Sequence, residues 1–303
     1  MRASCRRNSG ELTASGLSAA RLLVLGVPNE PYTPAELEAM RTFVAAGGSL
    51  LALSGDGGDE RRGSNLNAVV EPYGLAFESD SVLRTAYHSS PYLHPKDCLI
   101  THPVVPATLE AAVKRFVLRG SGKGAGAAAG SSSKAEADAE TRRLELRMAY
   151  PRGCTVRVAE DEEDEEDDGT GAAIAAAARR RREQPAPTVV LTSGYVAYPL
   201  NQPVAAAFEA RHDPAAALAM AAGAAAASAS ASAASPAKSA RREGGRVVAV
   251  GSGEWLSSKW LGKEHNSAIA DAIVRWLLRD DAVVIRSDPE GESHDGDSAP
   301  PPP

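Results

Sequence analysis

The sequence predicts an α/β fold, a single domain in which an open, mainly parallel sheet is flanked by helices. Three observations carry this. Arg21–Val27 (RLLVLGV) and Ser49–Leu53 (SLLAL) are short continuous apolar runs, the pattern of strands buried on both faces. A helix signal lies between them, and a strand–helix–strand succession implies parallel strands. Towards the other end, Ile269, Ile273, Trp276 and Leu277 recur at i, i+4, i+7 and i+8, the stripe of a helix laid on a sheet.

The elements follow in order. After Arg21–Val27, Thr33-Pro34-Ala35-Glu36 forms a capping box: Thr33 caps the amide of Glu36, and the Glu36 side chain reaches back. Pro34 takes the first helical position, where its missing N–H costs nothing. Leu37, Met40, Phe43 and Val44 line one face of the helix, which runs to about Ala46 before Gly47-Gly48 stop it. Beyond Ser49–Leu53 comes Gly55-Asp56-Gly57-Gly58, then a short helix capped by Ser64 or Asn65 and ending at Gly74. Leu75–Phe77 and Cys98–Ile100 read as strands. Leu144–Tyr150 and Cys154–Val158 alternate like a hairpin around Pro151-Arg152-Gly153. Thr188–Thr192, Pro203–Ala210 and Arg246–Val250 are further strands, Asn266–Arg279 the last helix, and Ala282–Ile285 a closing strand.

Three stretches interrupt this plan, at about 120–141, 159–186 and 213–243, all rich in Ala, Gly, Ser and charge. They carry too few large apolar residues to offset an ordering cost of about 1–2 kcal/mol per residue, so they are expected to be disordered inserts. A disordered leader over 1–20 and a Pro-rich disordered tail over 287–303 complete the plan, leaving 21–286 as the folded unit. Ala accounts for 58 of 303 residues, so a hydrophobic fraction of 43% overstates the core. Removing the nine acids of 160–168 turns a net charge of −6 into +3, so the acidity belongs to one insert. That run is either a solvated loop or a docking segment for a basic partner. No stretch is long and apolar enough for a membrane span. Three cysteines in a chain this long argue against a disulfide scaffold and for a reducing compartment, and the polar, basic start argues against a secretory leader. The basic residues are scattered without aromatic interleaving, so no nucleic-acid partner is expected.

The candidate chemistry is sparse. Gly55–Gly58 follows a strand, where open α/β sheets place ligands, but matches neither G-x-G-x-x-G nor a P-loop, and a tight turn competes with a phosphate cradle. Cys98 and Cys154 sit on strands, and Cys5 lies in the leader. His88, His94 and His102 cluster without zinc spacing, and His265 before Asn266 reads as helix entry. Trp255 and Trp260 flank Ser257-Ser258: exposed, they would be partner anchors, and buried, they would plug the sheet edge. No catalytic residue, metal ligand or cofactor is expected.

Five blocks then fall in one order: 23–87, containing the strand, GDGG, N-x-N and YG; YLHPKDCLI (92–100); YPRGCTVRV (150–158); 189–210, with SG-x-x-x-YPLN-x-P; and 244–278, from GGRVVAV to the EHNS helix. Together they resemble the N-terminal domain of the intraflagellar transport protein 52 family. The resemblance implies a flavodoxin-like or glutamine-amidotransferase-like fold kept as a non-catalytic scaffold. It further implies membership of intraflagellar transport complex B, with other subunits of that complex as partners. It implies a place in the cilium or flagellum and at the ciliary base, with a cytoplasmic pool, and a role in assembling and maintaining these organelles. Consistent with this, the turn Ser54-Gly55-Asp56-Gly57 offers no thiol where an amidotransferase nucleophile would sit. The family carries a further strand and helix ahead of Leu22 and continues beyond the domain, so one sheet element and some complex contacts are expected to be missing. The candidate contact surface is Gly55, Asp56, Gly57, Gly58, Asn65, Trp255 and Trp260. The rival reading is a sugar- or nucleotide-binding or hydrolytic domain using Gly55–Gly58 with Asn65 and Asn67.

Overall fold

A computed structural model describes residues 4–85, 92–121, 143–159, 185–211, 213–228 and 244–286. Its centre is a five-stranded mixed sheet: β1 (Leu22–Gly26), β2 (Ser49–Leu53), β11 (Arg246–Val250), β10 (Pro203–Glu209) and β8 (Thr188–Thr192), in that spatial order. β1, β2 and β11 run parallel, with Leu51 opposite Val24 on one side and Val248 on the other. β10 runs against both of its neighbours. Three two-stranded antiparallel pairs sit beside this sheet: β3 (Leu75–Phe77) with β7 (Val156–Val158), β4 (Leu83–Arg84) with β9 (Ala197–Tyr198), and β5 (Asp97–Thr101) with β6 (Arg147–Pro151).

The pleat divides the sheet's side chains between two cores. Leu51, Leu53, Val248, Val250, Ala205 and Ala207 face one core, with Ile269, Ile273, Trp276 and Leu277 of α7 (Asn266–Leu277) and Leu109, Ala112 and Val113 of α5 (Ala107–Ser121). Leu50, Ala52, Val247, Ala249, Ala206 and Phe208 face the other, with Met40, Phe43 and Val44 of α2 (Pro34–Ala45). All of β2 is buried, as its unbroken apolar run requires. The Thr33/Glu36 capping box is formed. Gly47 ends α2 at positive φ, and a Cβ on Gly48 would strike the Phe43 ring, so the helix stops where the sequence says. α7 begins with a buried Asn266, whose side chain accepts from the Ala149 amide at 3.0 Å and donates to the Ala149 carbonyl at 2.9 Å, closing the outer edge of β6.

Several expectations need correcting. The 144–158 hairpin does not form. Tyr150 is fully buried beneath the turn and donates to the Cys154 carbonyl at 2.7 Å, and a Cβ on Gly153 would strike its ring, so the chain turns away and the two strands join different partners, β5 and β3. Val283 and Ile285 are buried but make no strand: the closing segment is held by their packing and by a bond from the Thr108 hydroxyl to the Val284 carbonyl at 2.9 Å. The leader is not wholly unstructured, since Thr13 caps a helical turn, α1 (Ala14–Leu17), that buries Leu17. The third insert opens as helix α6 (Pro214–Ser228), which buries Met220 against the α2 side. Helix α5, unpredicted, runs into the start of the first insert. Residues 122–141, 160–184 and 229–243 of the inserts, which include the acidic run, lie outside the described residues, as do the tail and His88.

Candidate functional site

In an α/β sheet the place to look is beyond the carboxyl ends of the parallel strands. Here β2 leads into Gly55–Gly58 and then α3 (Gly58–Arg62), and the neighbouring β11 leads into Gly251-Ser252-Gly253 and a 3-10 turn holding Trp255. The two segments are stitched together: the Ser54 amide donates to the Val250 carbonyl at 3.0 Å, and the Gly253 amide donates to the Ser54 carbonyl at 2.6 Å. Val27, at the end of β1, packs where a Cβ on Gly253 would lie.

Three of the loop amides that could cradle an anion already have partners. Asp56 N–H donates to the Arg152 carbonyl at 2.8 Å, Gly57 N–H to Asp80 at 2.7 Å, and Gly58 N–H to Gly55 at 3.0 Å. Gly57 and Gly58 adopt φ of +80° and +55°, and a Cβ on Gly58 would lie 2.7 Å from the Glu78 carbonyl, so glycine is needed for backbone shape and close packing. Asp56 is buried and accepts from Lys96 Nζ at 2.6 Å and from Arg61. Burial would raise its pKa, but the hydrogen bond and charge of Lys96, helped by Arg61 and Arg62, outweigh this and hold it below the ordinary carboxylate range. Asp80 braces the opposite wall, accepting from the Thr155 amide at 2.7 Å and the Thr155 hydroxyl at 2.8 Å. Ser252 donates to the Pro151 carbonyl, and a Cβ on Gly251 would sit on the Cys154 carbonyl. The crevice is filled by its own chain.

Neither buried thiol among the described residues is activated. Burial, reinforced by Asp80, pushes the Cys154 thiol up to about 12, and burial with Asp97 does the same for Cys98. Among the described residues no group of three His, Cys, Asp or Glu side chains could hold a metal.

The other predicted site residues are dispersed. Asn65 caps no helix: it accepts from the Tyr32 amide at 2.7 Å and donates to the Tyr32 carbonyl at 2.9 Å, fixing the loop after β1. Asp59 takes the capping role instead, accepting from the amide of Asn67, the first residue of α4 (Asn67–Val70), at 2.6 Å. Asn67 clamps both backbone groups of Phe77. Trp255 is 1% exposed and belongs to the α7-side core, and Trp260 is 2% exposed and stacks edge-on to Tyr92 at 5.1 Å. Neither ring offers a partner an exposed anchor, which corrects that part of the contact surface.

A cluster of exposed apolar side chains lies elsewhere, in the connection from β8 to β10. Tyr195 is 80% exposed, Tyr198 61% and Leu200 51%. The loop is nonetheless tightly held. Buried Ser193 accepts from the Gln202 amide at 2.9 Å and donates to the Pro199 carbonyl at 2.6 Å, and the Asn201 amide donates to the Gly194 carbonyl at 2.7 Å. The Tyr198–Pro199 peptide is cis. Leu93, 93% exposed, adjoins the loop because its carbonyl accepts from Arg84, whose strand β4 pairs with β9 inside the loop. The SG-x-x-x-YPLN pattern is legible in the sequence, but which of its side chains face solvent is not.

Comparison with known proteins decides the family. The model of the IFT52 GIFT domain matches residues 3–164 and 177–290. This chain belongs to that family. The intraflagellar transport protein 52 homolog of Homo sapiens is 27% identical over 280 residues, covering 92% of this chain and 48% of the human protein. The Mus musculus homolog is 26% identical over the same span, covering 50% of its own length, so the chain spans about half of the curated relatives it matches. A solved structure titled mmIFT52 N-terminal domain superposes with a TM-score of 0.59 at 23% identity, covering 90% of this chain and 83% of that one. This likeness shows the shared mixed α/β fold.

Proposed function

We propose that this chain is a non-catalytic scaffold and protein-interaction subunit of intraflagellar transport complex B, acting in the assembly and maintenance of cilia or flagella. Family membership supports the transport role. The single observation that carries the interaction reading is the contrast within the domain: the crevice end of the sheet is closed on itself, whereas a rigidly held loop presents Tyr195, Tyr198 and Leu200 to solvent. Aromatic side chains fixed before binding lose little entropy on association and are common anchors of protein contacts. Other complex B subunits are the partners in this reading, and the cilium or flagellum, the ciliary base and a cytoplasmic pool are the locations.

In the same reading, the architecture is a flavodoxin-like or glutamine-amidotransferase-like fold whose reactive end has become structural. The two buried, high-pKa thiols and the paired loop amides support this. Residues Gly55–Gly58 enter the contact surface in this reading through their exposed neighbours Glu60 and Arg61.

Co-elution of the purified chain with purified complex B subunits in size-exclusion chromatography tests the proposal. Binding to at least one subunit is expected; failure to bind any contradicts it. The rival small-ligand reading is tested by thermal shift against sugars and nucleotides, where no stabilisation is expected.

A further inference from the structure

The joint between α3 and α4 is built on one carboxylate. Asp59 accepts from the Asn67 amide at 2.6 Å through one oxygen and from the Ser64 hydroxyl at 2.7 Å through the other. Its carbonyl accepts from the Gly63 amide at 2.8 Å. Asn67 in turn clamps Phe77 of β3, so Ser64, Asp59 and Asn67 form one polar chain that ends on a strand.

No apolar side chain holds α3 down. Its sequence is GDERR, only Gly58 of it is buried, and Glu60, Arg61 and the following Gly63 are exposed. Gly57 and Gly63 bound it at φ of +80° and +65°, two glycine pivots around a single turn. Polar contacts fix it instead: Asp59 with Ser64 and Asn67, and Asp56 with Arg61. A surface turn held this way opens locally at low cost, which frees the half-buried Ser64. In the opened segment Arg61 and Arg62 precede Ser64 by three and two residues. The same pattern recurs at Arg6-Arg7-Asn8-Ser9, on exposed backbone outside any helix or strand.

We propose that Ser64 is a phosphorylation site for a serine/threonine protein kinase that reads arginine three and two residues before its target, and that the phosphate undoes the α3–α4 joint. Two guanidinium groups at that spacing suit carboxylates in a kinase's peptide groove, because each can form paired, charge-assisted hydrogen bonds. In the transfer the bond from Ser64 Oγ to the γ-phosphorus of a nucleoside triphosphate forms. The bond from that phosphorus to the β,γ-bridging oxygen breaks, the nucleoside diphosphate leaves, and the hydroxyl proton passes to the kinase's base. The product has lost the proton that Ser64 shares with Asp59 and sets roughly two negative charges beside that carboxylate. Asp59 is pushed away and its bond to the Asn67 amide goes with it. The phosphate draws Arg61 and Arg62, and Arg61 leaves Asp56. This inference does not rest on the transport reading.

The whole chain, incubated with magnesium ATP and the catalytic subunit of cyclic-AMP-dependent protein kinase as an arginine-directed probe, tests it. Ser9→Ala is introduced throughout so that the other copy of the pattern gives no signal. Fragment masses locate the phosphate, and amide hydrogen exchange and thermal melting read its effect. The expected result is phosphate on Ser64, loss of protection at the Asn67 and Gly63 amides, and a melting temperature lower by roughly 2–4 °C. Arg62→Gln, which leaves the Arg61–Asp56 pair in place, is expected to slow the transfer at least ~10-fold. Loosening of α3 by that change would speed the transfer, so slowing reports lost recognition. Asp59→Asn keeps an oxygen for the Asn67 amide without the charge, and phosphorylation is expected to shift its melting temperature less. No phosphate on Ser64 overturns the proposal, as does a phosphate that leaves the Asn67 amide protected, or an Arg62→Gln variant phosphorylated at the parental rate.

Discussion

Two regions of this domain invite a functional reading, and their surroundings separate them. The crevice after β2 and β11 is rich in Gly, Ser and Asp, the composition of a ligand loop, yet the amides of Asp56, Gly57 and Gly58 and the carboxylates of Asp56 and Asp80 are all bonded within the chain. The Tyr195–Leu200 loop is apolar, the composition of a core segment, yet its large side chains stand in solvent on a backbone held by Ser193 and Asn201. Polar residues at a strand end do not make a site unless some of their bonding capacity faces outwards, and apolar residues do not make a core unless the fold covers them.

The comparison can be broken at its tightest point. Gly251→Ala places a methyl group against the Cys154 carbonyl, and a backbone shift there is expected to cost about 3 kcal/mol or more. Chemical denaturation would measure it, and a neutral outcome would mean that the crevice has unused room. Asp56→Ala removes the partner of Lys96 and Arg61 and is expected to cost about 2–3 kcal/mol at neutral pH. The pH dependence has a defined sign. Because the folded pKa of Asp56 is depressed, its stabilisation is complete above the unfolded carboxylate value of about 3.9 and is lost as pH falls through the lower folded value. The stability gap between the wild type and Asp56→Ala should therefore be flat from mildly acidic to neutral pH and close only in strong acid. Tyr150→Phe deletes one buried hydrogen bond to the Cys154 carbonyl and is expected to cost about 1–2 kcal/mol. In the other region, Tyr195→Ser with Tyr198→Ser is expected to change stability by no more than about 0.5 kcal/mol. A large loss there would mean that these rings are structural and would erase the contrast.

Much of the fold was legible because its signals are local. The Thr33/Glu36 box, the Gly47-Gly48 stop and the apolar runs of β1, β2 and β11 act within a few residues. Helix α5 was equally legible in retrospect, with Leu109, Ala112, Val113 and Phe116 at helical spacing. The false hairpin shows the limit. Pro151-Arg152-Gly153 has turn composition, but what decides the pairing is Tyr150 beneath the turn and the hydrogen bond from the Cys154 amide to the Gly251 carbonyl, across a separation of 97 residues. The site residues failed for the same reason. Trp255 and Trp260 look like anchors until α7 and Tyr92 cover them, and Asn65 looks like a cap until the loop at Tyr32 claims both ends of its amide.

The most direct test compares the binding of purified complex B subunits to three forms of the chain: wild type, Tyr195→Ser with Tyr198→Ser, and Asp56→Asn, all at a temperature where each is folded. The account expects the double tyrosine variant to lose at least ~10-fold in affinity, the effect of removing a contact anchor, and the Asp56 variant to bind as the wild type does. Undiminished binding by the tyrosine variant together with loss in the Asp56 variant would contradict it and return the function to the crevice.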